Sequence, residues 1–560
     1  CAPTTTDAAL ANRTRSSYWS WHCRAGMIHR QLARRCNLHA RRPATKLHSS
    51  AATRQQQDRG LLTRDFIAKS LYNQDTGYFS TKDVINDLPG PLEFGSMMGE
   101  LHYRLDVKKA YESKLSAWMT PVETFSPHFS HALARFIAKE ANKASSAGGM
   151  PPRKASPAGR KKGAAGGSGI SSGDRSDRGE GLVLYEAGGG TGTNALNILD
   201  WLRREEPKLY ERTEYTIVEI SPRLAELQAE RVCTVHENCR VVNANVLEWG
   251  MSGEVDPRPC FFLGMELLDN LPHDKIAWVV PSFQQTDDTG TDSAAQLCEA
   301  VVVESPGGGF REVFRPLRDP VIRELLTICP ELAAMVRNRG LLPSPEKSAS
   351  EPESESSLLG SLFGKTSKLR SFFDLLGAGG VDALRPEHCA AFVPTGSLRL
   401  MQALRERLPR HQAILADFDS FAGSSAGTEE GGPAAASDES LTAFQAPIVS
   451  SRDPDTGSVT DHATYMVPLG SADIFFPTCF ERLARLHAAV CHGGSGSSSS
   501  SGGGGGGGVV RRHKGLVVKQ GEFLKEFADL HATRTFSGFN PLVDDFRNSS
   551  VFLSGAVLSP

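Results

Sequence analysis

The sequence predicts an α/β fold, in which a parallel, doubly wound sheet is covered by helices on both faces. Short apolar runs alternate with segments of helical periodicity, and this alternation is typical of strands joined by crossover helices. A glycine-rich turn follows the run at 182–186, and a Ser-Pro pair follows the run at 215–220. In such sheets ligands bind at the carboxyl ends of the strands, so these two turns are the first places to look for a site.

The first strand–helix pair consists of the apolar run 182–186 and a helix predicted over 194–204. Four apolar residues of this helix recur at i, i+3, i+4 and i+7, which predicts one buried face. They are Ala195, Ile198, Leu199 and Leu202.

The second pair consists of a strand at 215–220 and a helix continuing over 224–231. Ser221 stands at the N-cap position and Pro222 at the first helical position, where each residue type is favoured. Further strands are predicted at 240–246, 260–265, 412–418 and 473–476, and N-terminal amphipathic helices at 63–72 and 126–139.

The composition is that of a soluble globular protein, with 39% hydrophobic and 22% charged residues in 560. No apolar run reaches the roughly 18–20 residues that a membrane span needs. The formal charge of −2 gives no reason to expect a nucleic-acid partner. The 11 cysteines are scattered and form no CxxC pair, which argues against a disulfide framework and against a zinc site, and we predict no metal site.

The N-terminal 57 residues are predicted to be a mitochondrial transit segment. From Met27 to Gln57 there is no acidic residue, while seven Lys and Arg residues are interleaved with apolar and serine residues. Such composition is typical of organellar targeting peptides. The alternative interpretation is a basic tail.

We predict five further regions from shifts in composition. They are an N-terminal helical region (58–143), a linker (144–180), a core (181–490), a Gly/Ser linker (491–508) and a C-terminal segment of the core domain (509–560). The core contains low-complexity insertions at 284–296, 343–357 and 423–440.

The glycine turn predicts a nucleoside cofactor site. Gly188, Gly190 and Gly192 follow the strand that ends in Glu186 and have G-x-G-x-G spacing. Glycine lets the backbone approach a ligand closely. A dinucleotide site favours a third glycine where this chain has Thr193, whereas an S-adenosylmethionine (SAM) site does not need one. We therefore expect SAM, with an NAD-dependent oxidoreductase as the less favoured class.

Two polar residues extend this predicted site. Glu219, at the end of the second strand, can accept hydrogen bonds from both ribose hydroxyls. Asn245, after the next strand, can accept from the adenine amino group through its side-chain carbonyl. The alternatives are a helix-start carboxylate for Glu219 and a turn residue for Asn245.

The run after the strand at 260–265 supplies candidate catalytic residues. Glu266 and Asp269 are three residues apart, so they can share one helical face and hold a guanidinium group in bidentate geometry. His273 can act as a general base. The alternatives are a helix-start acid for Asp269 and a solvent-facing turn for His273.

Eight sequence blocks stand out along the chain. They are SLYNQDTGYFS (70–80), WMTPVETFSPHFSHALARFI (118–137), LVLYEAGGGTGTNALNILDWLR (182–203), YTIVEISPRLAELQ (215–228), FFLGMELLDNLPHDKI (261–276), RHQAILADFDSF (410–421), SADIFFPTCFERL (471–483) and FADLHATRTFSGFNPLVDDF (527–546). Together these blocks resemble the MidA family of SAM-dependent methyltransferases, also called the protein arginine methyltransferase, or complex I assembly factor, family of mitochondria. The chain resembles a divergent branch of this family.

This resemblance implies a Rossmann-like class I methyltransferase sheet with an N-terminal helical region and extra C-terminal segments. It also implies a location in the mitochondrial matrix, a role in complex I assembly, and symmetric dimethylation (type II) of an arginine in the 49-kDa subunit. Glu266, Asp269 and Asn270 fall on the block near the methyl donor. Thr120, Pro121 and Glu123 fall on the N-terminal block that closes over the site.

The sequence leaves two functions open besides the oxidoreductase. The favoured one is a SAM-dependent protein arginine N-methyltransferase. The alternative is a methyltransferase-fold assembly scaffold that holds SAM, or nothing, and does not catalyse.

Overall fold

The computed structural model describes residues 60–85, 88, 90–115, 117–147, 181–249, 254–279, 295–339, 390–421, 446–492 and 515–555. The predicted transit segment at 1–57 lies outside these described residues. The same holds for the low-complexity stretches at 343–357, 423–440 and 493–508, and for most of those at 144–180 and 284–296.

The chain divides into two compact units. The first, which we call the parallel-sheet unit, comprises Val84–Leu267, Ala403–Asp417 and Gly503–Pro560. The second, which we call the antiparallel unit, comprises Cys1–Asp83, Leu268–Gln402 and Phe418–Gly502.

The strands of the two units are numbered in chain order. They are β1 (Leu61–Leu62), β2 (Leu182–Ala187), β3 (Thr213–Glu219), β4 (Cys239–Asn243), β5 (Cys260–Met265), β6 (Asp274–Val279), β7 (Gln296–Glu304), β8 (Phe310–Pro316), β9 (Ala390–Val393), β10 (His411–Phe418), β11 (Ile448–Arg452), β12 (Val459–Asp461), β13 (Asp473–Phe475), β14 (Leu516–Lys519) and β15 (Ser549–Leu553).

The α-helices are numbered in the same way. They are α1 (Thr63–Tyr72), α2 (Tyr78–Thr81), α3 (Glu100–Ser113), α4 (Pro121–Thr124), α5 (His128–Ala147), α6 (Thr193–Glu205), α7 (Pro207–Tyr210), α8 (Pro222–Gln228), α9 (Pro320–Ile328), α10 (Glu331–Arg339), α11 (Thr395–Arg407), α12 (Phe480–Cys491), α13 (Gln520–Phe527) and α14 (Pro541–Asp544). A 3₁₀ turn forms at Phe94–Ser96. None of the described helices has the length and apolar character that crossing a membrane requires.

The parallel-sheet unit is built on seven strands in the order β14-β15-β10-β5-β2-β3-β4. The five strands from β10 to β4 run parallel, whereas β14 and β15 pair antiparallel. At the centre, Leu184 of β2 lies opposite Tyr215 of β3 and Phe261 of β5. Every residue of β2 and β5 is buried, as expected for strands covered on both faces. The predicted doubly wound, Rossmann-like sheet is confirmed.

The helices that flank this sheet follow the predicted patterns. The four apolar residues predicted to form one face of α6 are all buried, and each such side chain contributes roughly 1.5–3 kcal/mol, less for alanine. Ser221 caps α8 through its Oγ, which accepts a hydrogen bond from the Leu224 amide at 3.4 Å, and Pro222 begins the helix. The helix continues as a π-helical segment at Ala229–Cys233.

The antiparallel unit contains a sheet in the order β1-β7-β6-β9, with β8 on β7, and a small sheet in the order β12-β11-β13. Helix α1, whose predicted bounds are confirmed, contributes a buried cation. The Arg64 guanidinium donates to Asp274 at 2.6 Å and to Asp319 at 2.7 Å. This network joins α1 to β6 and to the N-cap of α9, so it fixes three chain segments together.

Three predicted elements differ from the structure by more than two residues or in their strand pairing. The strand predicted at 240–246 ends at Asn243, and the helix predicted at 126–139 is His128–Ala147. The strand predicted at 473–476 exists as β13, but its assignment to the parallel sheet is wrong. Strand β13 belongs to the antiparallel unit, where it pairs antiparallel with β11. A short apolar run has no periodicity that reveals which strand it joins.

Candidate cofactor and active site

The glycine loop that follows β2 has a backbone that only glycine adopts easily. Gly188, Gly190 and Gly192 have φ values of 66°, 57° and 87°, all in the left-handed region. A Cβ atom at Gly192 would lie 2.9 Å from a methyl carbon of Val232. The alternating glycines therefore form a loop that leads into α6. At these three positions no side chain would separate the backbone from a ligand.

Glu219 ends β3, which is the neighbour of β2 in the sheet. Its side chain is 3% exposed, and its carboxylate accepts from the Ser221 amide at 2.9 Å and from the Gln228 amide nitrogen at 3.0 Å. Burial raises the pKa of Glu219 to about 6, although these hydrogen bonds oppose the shift. The carboxylate is therefore held in place and stays ionised at neutral pH, as a ribose acceptor requires.

Gln228 connects Glu219 to the glycine loop. Its Nε2 donates to the carbonyl oxygen of Gly190 at 2.9 Å as well as to Glu219. Its Oε1 is buried and has no hydrogen-bond donor among the described residues. A buried carbonyl without a donor is unfavourable, so it fits a site that takes up a ligand bearing hydroxyl or amino hydrogens. Sequence reasoning did not select Gln228.

Glu186 and Asn245, the other predicted cofactor residues, already have protein partners. Glu186 is buried, accepts from Asn194 at 2.8 Å and from the Tyr215 hydroxyl at 2.9 Å, and burial raises its pKa. Asn245 accepts from the Leu247 amide at 3.0 Å, which is a local turn contact. In this structure Glu186 connects β2 to α6 and β3. Asn245 has the geometry of the alternative interpretation, a turn residue.

The N-terminal block joins the glycine loop through one buried carboxylate. Thr120 caps α4 by accepting from the Glu123 amide at 3.2 Å, and Pro121 begins the helix. The Glu123 carboxylate accepts from Thr191 at 2.6 Å and from Thr193 at 3.0 Å. The predicted closing block therefore holds the end of the glycine loop where α6 begins.

A cation completes this contact. Arg231, in the π-helical segment, donates to the Thr191 hydroxyl at 2.9 Å. Thr191 therefore lies between a guanidinium and a buried carboxylate, and the loop is held from two elements. Sequence reasoning did not select Thr191 or Thr193 as site residues, because their partner Glu123 lies far away in the sequence. It did not select Arg231 either, because its partner Thr191 is also distant in the sequence.

Glu266 follows β5 directly and has a φ of 49°. No other non-glycine residue among those described has a positive φ. Its amide donates to the carbonyl oxygen of Ala416 on β10 at 2.9 Å. The next residue, Leu267, lies 3.4 Å from the position of a Cβ built on Gly188. Glu266 is therefore held in a strained conformation at the sheet edge that carries the glycine loop.

Asp269, Asn270 and His273 belong to the antiparallel unit. Asn270 donates to Asp473 at 2.8 Å, and the Asp269 carbonyl accepts from the Phe476 amide at 2.8 Å. His273 is buried, with Nδ1 2.8 Å from the Leu271 carbonyl oxygen and its ring stacked on Phe476 at 3.9 Å.

Burial lowers the pKa of His273 to about 4. The ring is therefore neutral at physiological pH and is not the solvent-facing turn residue of the alternative interpretation. A base with so low a pKa abstracts protons weakly, so these surroundings do not favour the predicted general-base role.

The sheet order and the glycine loop define an α/β protein with a Rossmann-like nucleoside site. Residues 171–493, more than half of the chain, match the model of a family described as "Putative S-adenosyl-L-methionine-dependent methyltransferase". The chain belongs to this family. The predicted MidA-like resemblance, the SAM cofactor and the methyltransferase class are confirmed.

Two solved structures from Burkholderia thailandensis are each 14% identical in sequence and cover 91% of this chain and 90% of their own. One, with a TM-score of 0.45, is described as a "likely methyl transferase" bound to S-adenosyl-homocysteine. The other, an uncharacterized protein of the same superfamily, has a TM-score of 0.43. No curated protein matches the sequence.

Proposed function

We propose that this methyltransferase acts on an arginine side chain of a protein. The observation that supports the proposal most directly is Glu266, a half-buried carboxylate in a left-handed conformation beside the glycine loop. Backbone strain of this kind persists only where the surrounding contacts fix the residue in place, and strained residues cluster at active sites.

A carboxylate at this edge suits a guanidinium substrate. Two parallel N–H···O bonds fix the guanidinium plane and draw its positive charge toward one side, which leaves the opposite nitrogen more nucleophilic. When bound, SAM supplies an activated methyl group. Glu266 would orient the substrate nitrogen, while Glu219, Gln228 and the glycine loop would hold the cofactor.

The finer parts of the proposal come from the sequence resemblance. We propose symmetric dimethylation, a place in the mitochondrial matrix, and a substrate in respiratory complex I, such as its 49-kDa subunit. The alternative is a methyltransferase-fold assembly scaffold that does not catalyse methyl transfer. The experiment below distinguishes the two functions.

The full chain should be incubated with radiolabelled SAM and mitochondrial extract from cells that lack the protein, followed by amino-acid analysis of the labelled protein. We expect label in symmetric dimethylarginine, its loss with Glu266→Gln, and its retention with Glu254→Gln, which removes an exposed carboxylate of the same unit. Calorimetry should show that Glu266→Gln still binds the cofactor.

Three outcomes would count against parts of the proposal. Label in another residue type would refute arginine as the substrate but leave the methyltransferase assignment. Cofactor binding without label in any extract, together with rescue of complex I by Glu266→Gln, would favour the scaffold. Exclusion of a fluorescent fusion from mitochondria would refute the proposed location.

A further inference from the structure

A small cavity in the antiparallel unit is not used by the proposed methyl transfer. It has a volume of about 30 Å³ and is partly open. A water molecule occupies roughly 10–15 Å³ on this measure, so the cavity has room for a ligand of a few heavy atoms. Its walls combine aromatic rings with one cation, and they include His273, Phe392, Phe476, Thr478, Arg482 and Leu486.

Arg482, on α12, is the cation in this wall. The residue is 3% exposed, and its Nε and Nη2 atoms are buried without a hydrogen-bond acceptor among the described residues. The nearest carboxylate is that of Glu331, whose Oε1 lies 3.7 Å from Nε, too far for a hydrogen bond. The same oxygen accepts a 2.8 Å bond from Arg485.

A buried guanidinium with unfilled donors is unfavourable, because its desolvation is not repaid by hydrogen bonds. No aspartate or glutamate lines the cavity. His273 adds no negative charge, since an imidazole is either neutral or cationic. Its Nδ1 lies 2.8 Å from the Leu271 carbonyl oxygen, and its ring stacks on Phe476. The wall therefore has a positive charge, and among the described residues its nearest anion is Glu331, which lies outside the cavity lining, makes no hydrogen bond to Arg482 and is shared with Arg485.

We propose that this cavity binds a small carboxylate, or the carboxylate end of a larger ligand, through Arg482. The planar guanidinium fork matches the two oxygens of a carboxylate. The stacked ring of Phe476 and the side chains of Phe392 and Leu486 suit the carbon atoms of such a ligand better than the hydration shell of phosphate. The proposal is independent of the methyl-transfer reaction.

A ligand in this cavity would contact the chain segment that carries the predicted residues Asp269 and His273. Phe476, which lines the cavity, donates its amide to the Asp269 carbonyl at 2.8 Å, and His273 belongs to the same block. Occupancy would therefore stiffen the segment that carries Asp269 and His273.

The test is equilibrium dialysis of the full chain against radiolabelled acetate at constant ionic strength. We expect saturable binding by the wild-type protein and at least tenfold weaker binding by Arg482→Met. Arg485→Met is the matched control, because it removes the same charge from the next turn of α12, at an exposed position that also contacts Glu331. This variant should bind acetate like the wild type.

Several results would overturn the proposal. Absence of saturable binding to the wild-type protein would show that water fills the cavity, and equal losses in both variants would indicate a general charge effect. If inorganic phosphate displaces acetate as effectively as formate does, the proposed selectivity for carboxylates is refuted. If Arg482→Met does not fold, Arg482→Lys keeps the charge and loses the fork, and binding equal to wild type would refute the role of the fork.

Discussion

Lowering the pH from 7 to 5 should weaken SAM binding about tenfold through a single carboxyl group. Burial raises the pKa of Glu219 to about 6, and only the ionised form can accept from both ribose hydroxyls. At pH 5 roughly one carboxyl in ten is ionised, so the cofactor must compete with a proton. At pH 7 almost all are ionised, and the competition disappears.

Replacing Glu219 tests the same contact by another route. Hydrogen bonds to a charged group contribute roughly 1.5–3 kcal/mol each, so Glu219→Ala should weaken binding at least tens-fold. Glu219→Gln keeps the shape but removes the titrating group, and its weaker binding should no longer depend on pH between 5 and 7. Calorimetry with SAM measures both effects.

The raised pKa also has a readout without cofactor. Since folding raises the pKa from 4.5 to about 6, the protonated carboxyl favours the fold below about pH 4.5. That contribution is lost as the pH rises through about 6, which amounts to about 2 kcal/mol. Across this pH range, the free energy of unfolding measured in denaturant should fall by that amount in the wild type. In Glu219→Gln this pH-dependent contribution should be absent.

Glu214→Gln is the matched control, because Glu214 is an exposed carboxylate on the same strand, paired with Arg258. This variant should bind SAM with the wild-type affinity and the wild-type pH dependence. Wild-type binding that is equally tight at pH 5 and pH 7, or full binding by Glu219→Ala, would refute the reasoning.

Three further predictions concern stability, measured by denaturant titration. Glu123→Ala should lower the free energy of unfolding by about 2–4 kcal/mol, since it leaves two threonine hydroxyls buried without their carboxylate, and an unchanged value would contradict that contact. Arg64→Met should lower it by about 3–5 kcal/mol by leaving the buried Asp274 and the half-buried Asp319 without their cation. Arg203→Met, from an exposed pair, should change it by less than about 1 kcal/mol. Gly192→Ala should lower it by about 1–2 kcal/mol, but Gly307→Ala, with open space around it, should not.

The parallel sheet could be predicted because its signals are local. Strand β5 coincides with its predicted bounds, since a continuous apolar run between polar segments marks a strand buried on both faces. Ser221 and Pro222 mark the start of α8 by their own chemistry, independent of any distant residue. The glycine spacing likewise indicated a loop whose backbone a ligand can approach closely, and this signal is also local.

The contacts that tie the site together could not be predicted, because they are not local. Glu123 reaches Thr191 and Thr193 across about 70 residues of sequence, and nothing in either segment names the other. Gln228 looked like an ordinary helix residue, and its role depends on how α8 packs against the loop. The backbone strain at Glu266 has no sequence signal, since glutamate is uncommon in the left-handed region.

The left-handed backbone at Glu266 makes this position a marker of whether selection for chemistry persists. Glycine or asparagine would adopt the same φ of 49° with less strain, roughly 1–2 kcal/mol for glycine. A chain released from catalysis would therefore gain stability by drifting to either residue. Such drift would replace Glu266 early. Its presence in this chain is therefore what continued use of the carboxylate predicts.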